Sequence, residues 1–228
     1  MNPETRRRNV FLVPYLVTAI LNIVGAVSGT AILSDMSKPL LMPFLGGYYM
    51  AGKNIYRSKP LLLALFFCWI GDVALMFVGM NAAWFMIGLA AFLVGHIFYV
   101  ITYRQHRNES TENELMPVQK IRFALPVVLA GTGLVAVLFP VLGGLRFPVT
   151  VYSIVIIVMV LNAIFRYGRT TASSYWLVLS GAILFMASDS ILAINKFAAE
   201  IKMGGVLIML TYITAQFLIV KGLIKHDS

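Results

Sequence analysis

Long apolar runs follow one another along almost the whole chain, with only short polar segments between them. Hydrophobic residues make up 60% of the 228 residues and charged residues only 12%, whereas soluble domains are about 45–50% apolar. Eight runs approach the ~20 residues that an α-helix needs to cross the hydrocarbon core of a bilayer. The pattern predicts an all-α, polytopic membrane protein. We expect a single transmembrane domain over residues 1–228. Its eight transmembrane helices should lie at about 10–32, 38–52, 60–79, 82–103, 121–139, 147–165, 174–193 and 203–221.

The second run is the least typical of a membrane span. It is short and contains Pro39, Pro43, Gly46 and Gly47, so a re-entrant segment that turns back within the membrane is the alternative. A re-entrant segment would move every later loop to the opposite side of the membrane. The basic loop that follows the second run would then lie on the outer side, although basic loops favour the cytoplasmic side. We therefore expect a short or tilted true span.

The distribution of Lys and Arg predicts the orientation, because positive charges in short loops favour the cytoplasmic side. We expect the first run, which follows three arginines without a small-residue cleavage site, to be a retained helix. With the N-terminus inside, only four basic residues face outward: Lys38, Arg146, Lys196 and Lys202. The other fourteen face inward: Arg6, Arg7, Arg8, Lys53, Arg57, Lys59, Arg104, Arg107, Lys120, Arg122, Arg166, Arg169, Lys221 and Lys225. Both termini should be cytoplasmic, and this bias explains the net charge of +9 without a nucleic acid partner.

The linker from Arg104 to Lys120 separates two possible four-helix halves with faint similarity to each other. Gly71-Asp72-Val73-Ala74-Leu75 in the first half resembles Ser188-Asp189-Ser190-Ile191-Leu192 in the second. Four spans separate these segments, so the halves would be parallel repeats, unlike the inverted repeats of many transporters.

Two aspartates, Asp72 and Asp189, lie inside runs that are otherwise apolar. A carboxylate at a helix centre costs about 2.5–3.5 kcal/mol on insertion scales, so such residues usually face a bundle interior or a cavity and have a function. A rise of ~1.5 Å per residue, counted from the inner ends of their helices, places Asp72 roughly 20 Å and Asp189 roughly 24 Å above those ends. The two carboxyl groups therefore lie at a similar depth in the membrane. Two carboxyl groups close together in low dielectric do not ionise together, so such a pair would hold one acid and one base.

The same counting selects the polar residues that could bind a substrate near the aspartates. His96 lies closer to the inner half and ranks below the others, and a buried hydrogen-bonding role is its more common one. No His, Cys and Asp residues occur at metal-ligand spacing, so no metal site is predicted. The candidate binding residues are Lys38, Asn22, Tyr152, Tyr212, Gln216, Asn195 and His96.

Several ordered motifs resemble the YhhN family of integral membrane lysoplasmalogenases over nearly the whole chain. They are Ser37-Lys38-Pro39-Leu40-Leu41-Met42-Pro43, Trp69-Ile70-Gly71-Asp72-Val73-Ala74-Leu75-Met76, Gly95-His96, Ala187-Ser188-Asp189-Ser190-Ile191-Leu192-Ala193 with Phe197, and Tyr212 through Gln216. The resemblance implies a hydrolase that cleaves the vinyl ether bond of lysoplasmalogens and releases a fatty aldehyde and a glycerophospho-headgroup. It also implies that two membrane aspartates, matching Asp72 and Asp189, are catalytic, with a lysophospholipid as substrate and no cofactor.

This chemistry suits a pair of carboxyl groups. Protonation of the vinyl ether β-carbon by one aspartic acid gives an oxocarbenium ion, which the other aspartate would stabilise while activating water. Either aspartate could take either role. Lys38 could hold the lipid phosphate as a point charge, or it could be a snorkelling interfacial lysine. Tyr152 and Tyr212 could donate hydrogen bonds to the glycerol.

Other functions are compatible with the same residues. A proton-coupled transporter would use both aspartates to bind and release protons, a hydrolase could act on another lipid, and in a membrane scaffold the aspartates would only join helices. The cell (inner) membrane of a bacterium is the expected location. The sequence leads to no prediction of the oligomeric state.

Overall fold

A computed structural model describes residues 3–52, 58–109 and 114–226. Lys53 and Arg57, from the basic loop after the second run, lie outside these ranges. The regular structure of the described residues is entirely helical, in agreement with the predicted all-α class. It comprises α1 (Pro3–Ser28), α2 (Ala31–Met50), α3 (Lys59–Met76), α4 (Ala83–Gln105), α5 (Pro117–Leu138), a short 3-10 helix (Gly143–Leu145), α6 (Arg146–Ile164), α7 (Ala172–Phe197) and α8 (Gly204–Ile224).

Seven of the helices in the described part of the chain are long and apolar enough to cross a membrane. Large apolar side chains on their outer surfaces, such as Val118, Ile121 and Phe147, are mostly exposed. Such surfaces suit lipid rather than water. The chain is therefore an integral membrane protein. Helix α2 is not among the seven, so the predicted count of eight spans stays a prediction.

Helix α1 ends at Ser28, four residues before the end of the predicted run. Gly29 has φ +70°, the left-handed conformation that glycine adopts at little cost. The N–H of Thr30 then donates to the carbonyl of Gly25 at 3.0 Å, as in a Schellman motif at a helix C-terminus. The residues after this turn belong to α2, which begins seven residues earlier than the predicted second run.

Helix α2 is continuous for 20 residues and does not turn back on itself between Ala31 and Met50. Its rise of ~1.5 Å per residue gives a length of roughly 30 Å, comparable to the thickness of the hydrocarbon core. Pro39 and Pro43 lie inside it and remove two backbone donors, yet they do not end the helix. The longer α2 favours a span over a re-entrant segment.

The chain divides into two compact units. Unit 1 contains the residues up to Tyr99, and unit 2 contains residues 100–226. In unit 1, α2 packs against both α1 and α3. A Cβ added to Gly25 would lie 2.6 Å from the backbone nitrogen of Ser34, so the first residues of α2 approach α1 closely at this glycine. Small residues permit this kind of backbone approach between membrane helices.

Unit 2 is organised around α7, which packs along α8 and contacts α6. Glycines again mark the closest approaches. A Cβ on Gly181 would lie 2.8 Å from the carbonyl oxygen of Ala215, and one on Gly222 would lie 3.0 Å from the backbone nitrogen of Val178. The predicted similarity of two four-helix halves stays a prediction, as does the description of residues 1–228 as a single domain.

The close approach at Gly25 leads to a stability prediction. We expect Gly25→Ala to destabilise the protein by about 1–3 kcal/mol, because the new methyl group meets backbone that has no side-chain freedom to move away. The melting temperature of the purified protein in detergent measures the effect.

Gly133→Ala is the matched control. Gly133 lies inside α5, and no atom of the described residues lies within 4 Å of its Cβ position. The higher helix propensity of alanine should therefore leave stability unchanged or raise it by up to ~1 kcal/mol. Equal melting temperatures for the two variants would contradict the close packing of α1 on α2.

Candidate functional site

Asp72 is a buried carboxyl group near the C-terminal end of α3, with 2% of its surface exposed. Tyr15 of α1, which is 1% exposed, lies close enough to Asp72 to interact with it electrostatically. A polar group buried in a membrane helix needs polar neighbours. Asp72 is therefore oriented into unit 1 rather than toward lipid.

Tyr15 was missed by the sequence analysis, although a signal for it exists. Tyr15, Thr18 and Asn22 follow at helical spacing, and all three are buried on one side of α1. Polar residues at i, i+3 and i+7 lie on one face of a helix. The same face continues to Gly25, where α2 approaches.

Asn22 joins α1 to the first half of α2. Its Nδ2 donates to the carbonyl oxygen of Ser34 at 3.0 Å and to Oγ of Ser37 at 3.2 Å. Within the described residues, its buried Oδ1 has no hydrogen-bond donor. Lys38, the predicted phosphate ligand, follows Ser37 and is half-buried. The structure therefore brings Asn22 and the Lys38 segment together.

An indole N–H holds α2 against α3 beside Lys38. Nε1 of Trp69 donates to the carbonyl oxygen of Pro39 at 2.8 Å. In a regular helix that carbonyl would accept from the N–H of residue 43, but Pro43 has no N–H. Trp69 thus replaces a helix donor that the sequence removes. Because Trp69 precedes Asp72 by three residues, the bond fixes α2 near the helical face of α3 that carries the carboxyl group.

An apolar cavity of about 300 Å³, open to the outer surface of the helices, lies between α2 and α3. Met42, Leu65, Phe66 and Trp69 are among its lining residues, and almost no polar surface borders it. The cavity begins one helical turn from Asp72 along α3. A lining of this kind accepts hydrocarbon and excludes charged groups.

Asp189 lies on α7 in unit 2, where it is half-buried. The hydroxyl of Tyr152, on α6, donates a hydrogen bond to Oδ2 of Asp189. Two residues that were predicted for the same site therefore contact each other. The predicted proximity of Asp189 to Asp72, which belongs to unit 1, stays a prediction.

The remaining candidates take different positions. Tyr212 and Gln216 are both buried on α8, and Nε2 of Gln216 donates to the Tyr212 hydroxyl at 3.3 Å. Oδ1 of Asn195 accepts from the backbone N–H of Ile201 at 2.8 Å, so this amide organises the connection from α7 to α8. His96 is fully buried on α4 in unit 1. In the three described ranges, no cluster of three His, Cys, Asp or Glu residues could hold a metal ion.

Comparison with known proteins identifies the family. The YhhN family model matches residues 33–223, from the start of α2 to the end of α8, and this range includes both aspartates. The chain belongs to the YhhN family. The family resemblance of the ordered sequence motifs is thereby confirmed.

Relatives within the family carry one functional name. The chain is 31% identical to human lysoplasmalogenase TMEM86A over 178 residues, which are 76% of this chain and 67% of that protein. It is 29% identical to human lysoplasmalogenase TMEM86B over 150 residues, and 27% identical to a lysoplasmalogenase of Mycobacterium tuberculosis over 197 residues, or 86% of this chain and 72% of that protein.

The matched segment for TMEM86B is 66% of this chain and spans 57% of the length of that human protein. No solved structure matches the chain significantly.

The Trp69 contact leads to a prediction about the support of Asp72. We expect Trp69→Phe to destabilise the protein by about 1–3 kcal/mol, because the Pro39 carbonyl is left without a donor in apolar surroundings. Melting temperature in detergent measures the loss.

A second substitution tests the cause. Pro43→Ala restores a backbone N–H that can donate to Pro39, so Trp69→Phe should cost less in that background, with a coupling of about 1 kcal/mol in a double-mutant cycle. Additive effects would mean that the indole acts through packing alone.

Proposed function

We propose that this protein is a membrane hydrolase that cleaves the vinyl ether bond of lysoplasmalogens. The observation that carries the proposal is a buried carboxyl group, Asp72, inside an apolar helix of a YhhN family member. The names of the human and mycobacterial relatives support the substrate class. A second carboxyl group, Asp189, with its hydrogen bond from Tyr152, supplies the other group that the reaction needs.

The proposed reaction consumes one water molecule. An aspartic acid transfers its proton to the β-carbon of the vinyl ether, and the electron pair of the double bond forms the new C–H bond, which leaves an oxocarbenium ion. Water adds to the cationic carbon and gives its proton to the second aspartate. The resulting hemiacetal gives its hydroxyl proton to the first aspartate and breaks its C–O bond to the glycerol oxygen, which takes up the proton held by the second aspartate. The products are a fatty aldehyde and the glycerophospho-headgroup.

We assign the acid to Asp72 and the carboxylate to Asp189. The Tyr152 hydroxyl donates to Asp189, and this bond is stronger when its acceptor is an ionised carboxylate than when it is a neutral acid. Such a carboxylate is suited to stabilise the cation and to take the proton of water. The idea that both groups act on one substrate rests on the shared depth counted from the sequence.

Binding roles follow from chemistry. Lys38 would hold the lipid phosphate as a point charge. The acceptor Oδ1 of Asn22, which no described donor reaches, suits a glycerol hydroxyl, and Tyr212 with Gln216 would supply further hydrogen bonds. Asn195 keeps a positioning role at the turn between α7 and α8, and His96 stays a second-rank candidate for substrate binding.

The apolar cavity between α2 and α3 is the proposed site for the alkenyl chain. Its 300 Å³ volume and hydrocarbon lining suit a fatty chain. Trp69 lies at its border and on the same α3 face as Asp72. A chain bound in this cavity would approach the acid from the apolar side.

We also propose eight spans with both termini in the cytoplasm of a bacterial cell, with α2 as the additional span. The 20-residue length of α2 and the excess of Lys and Arg in alternate loops support this topology.

The catalytic proposal predicts loss of turnover in Asp72→Asn and Asp189→Asn. Each change should lower aldehyde release from a 1-alkenyl lysophospholipid by about 100-fold or more, because general acid–base catalysis contributes that much. The assay uses purified protein in detergent, with the 1-acyl analogue as a second substrate.

Asp35→Asn is the matched control, since Asp35 lies on α2 but is exposed. It should keep full activity, and melting temperatures would establish that all three variants fold. Undiminished aldehyde release by Asp72→Asn or Asp189→Asn would overturn the catalytic assignment. Proton flux in liposomes that depends on both aspartates, without hydrolysis, would favour transport instead.

The alkenyl-chain proposal predicts a binding defect in Gly46→Leu. Gly46 lines the cavity, and no described residue has an atom within 4 Å of its Cβ position. The larger side chain should therefore occupy the cavity without distorting α2. We expect KM for a long-chain substrate to rise about tenfold, while kcat changes little and a short-chain substrate is turned over normally. Equal effects on both chain lengths would exclude the cavity as the chain site.

A further inference from the structure

A cluster of arginines in unit 2 is not accounted for by the proposed reaction. Arg104 lies in the last turn of α4 and Arg107 just beyond it, while Arg169 lies between α6 and α7. Nε of Arg104 and Nη2 of Arg107 both donate to Oδ1 of Asn162, at 3.1 Å and 3.0 Å. Two cations that share one acceptor atom lie within the ~6 Å over which neighbouring charges affect each other's ionisation.

The cluster has more positive than negative charge. Arg169 forms an ion pair with Glu114 at 3.6 Å, but Lys120 also pairs with that carboxylate. Within residues 3–52, 58–109 and 114–226, the hydrogen-bond acceptors of Arg104 and Arg107 are neutral atoms of Asn162. Burial, with Arg169 and Arg104 close by, lowers the pKa of Arg107 to about 10, against the opposing effect of Glu114.

These arginines also have donors left for a ligand. A guanidinium group carries five N–H donors, whereas Arg104 uses only Nε and Arg107 only Nη2 among the described contacts. Nε of Arg107 is buried and reaches no acceptor in the part of the chain that the structure describes. Capping of the α6 C-terminus is the alternative role, because Nη2 of Arg107 donates to the carbonyl oxygen of Asn162 at 2.9 Å. Capping requires only one donor, so it does not explain why several arginines lie close together.

We propose that Arg104, Arg107 and Arg169 form a binding site for a phosphate group, separate from the proposed hydrolase site. The planar guanidinium fork matches phosphate oxygens and binds them with paired hydrogen bonds. The positive-inside pattern assigns this end of unit 2 to the cytoplasmic surface, where basic pockets between membrane helices bind the headgroups of anionic lipids. The phosphate belongs either to an anionic phospholipid headgroup or to free phosphate.

Binding experiments on the full-length protein in neutral detergent test the proposal. Microscale thermophoresis would titrate dioctanoyl phosphatidylglycerol, inorganic phosphate and dioctanoylglycerol, which lacks phosphate. We expect Arg107→Gln and Arg104→Gln to weaken phosphate-dependent binding about tenfold or more, because each removes charge-assisted hydrogen bonds. Arg104 is exposed, so its variant should fold even if Arg107→Gln does not.

Arg122→Gln is the matched control. It removes the same charge from an exposed position on the first turns of α5, and it should bind like the unaltered protein. The expected variant pattern is weaker binding by Arg104→Gln and Arg107→Gln and normal binding by Arg122→Gln. If phosphatidylglycerol binds with this pattern and inorganic phosphate does not bind, the ligand is a lipid headgroup. If phosphate alone binds with that pattern, the ligand is free phosphate.

Three results would overturn the proposal: no saturable binding of either phosphate compound, equal weakening by all three substitutions, or equal binding of dioctanoylglycerol. Equal weakening would point to general attraction by the net charge rather than to a site.

Discussion

Backbone polar groups in apolar helices have to find partners within the protein, because hydrocarbon offers none. This requirement explains why regular structure in the described residues is entirely helical. It also explains the contact between Trp69 and Pro39, since Pro43 removes the donor that the helix would have supplied. The bond from Trp69 replaces the donor that is missing at Pro43, and it holds α2 against the part of α3 that carries Asp72.

The same requirement applies to polar side chains, and it links stability to the proposed chemistry. Asn22 connects α1 to α2 through two donated hydrogen bonds, and Tyr152 connects α6 to α7 through Asp189. Gly25 allows the backbones of α1 and α2 to approach closely enough for Asn22 to reach α2. Gly181 allows a similar close approach of α7 to α8 in unit 2. Within each unit, a polar site is therefore also a helix contact.

Charge is used differently at the ends of the helices. Single arginines and lysines in cytoplasmic loops are enough to orient a membrane protein, and orientation does not require that they touch. In unit 2, Arg104 and Arg107 instead share one side-chain oxygen of Asn162. Holding two cations together costs electrostatic energy unless an anion offsets it. For this reason we distinguish the arginine cluster from the general excess of Lys and Arg in the cytoplasmic loops.

The sequence by itself determined the all-α membrane class, the approximate helix positions and the resemblance to the YhhN family, because apolar length and ordered motifs are properties of consecutive residues. It also made Asp72 and Asp189 the candidate catalytic residues, because each is an isolated charge in an apolar run. It also identified Tyr152, but not that Tyr152 donates to Asp189. Only the tertiary structure decided that α1 ends at Ser28, that Tyr15 lies near Asp72, that Asn195 organises a turn, and that two arginines converge on Asn162. These features depend on a backbone conformation or on contacts between distant residues, which neither periodicity nor composition records.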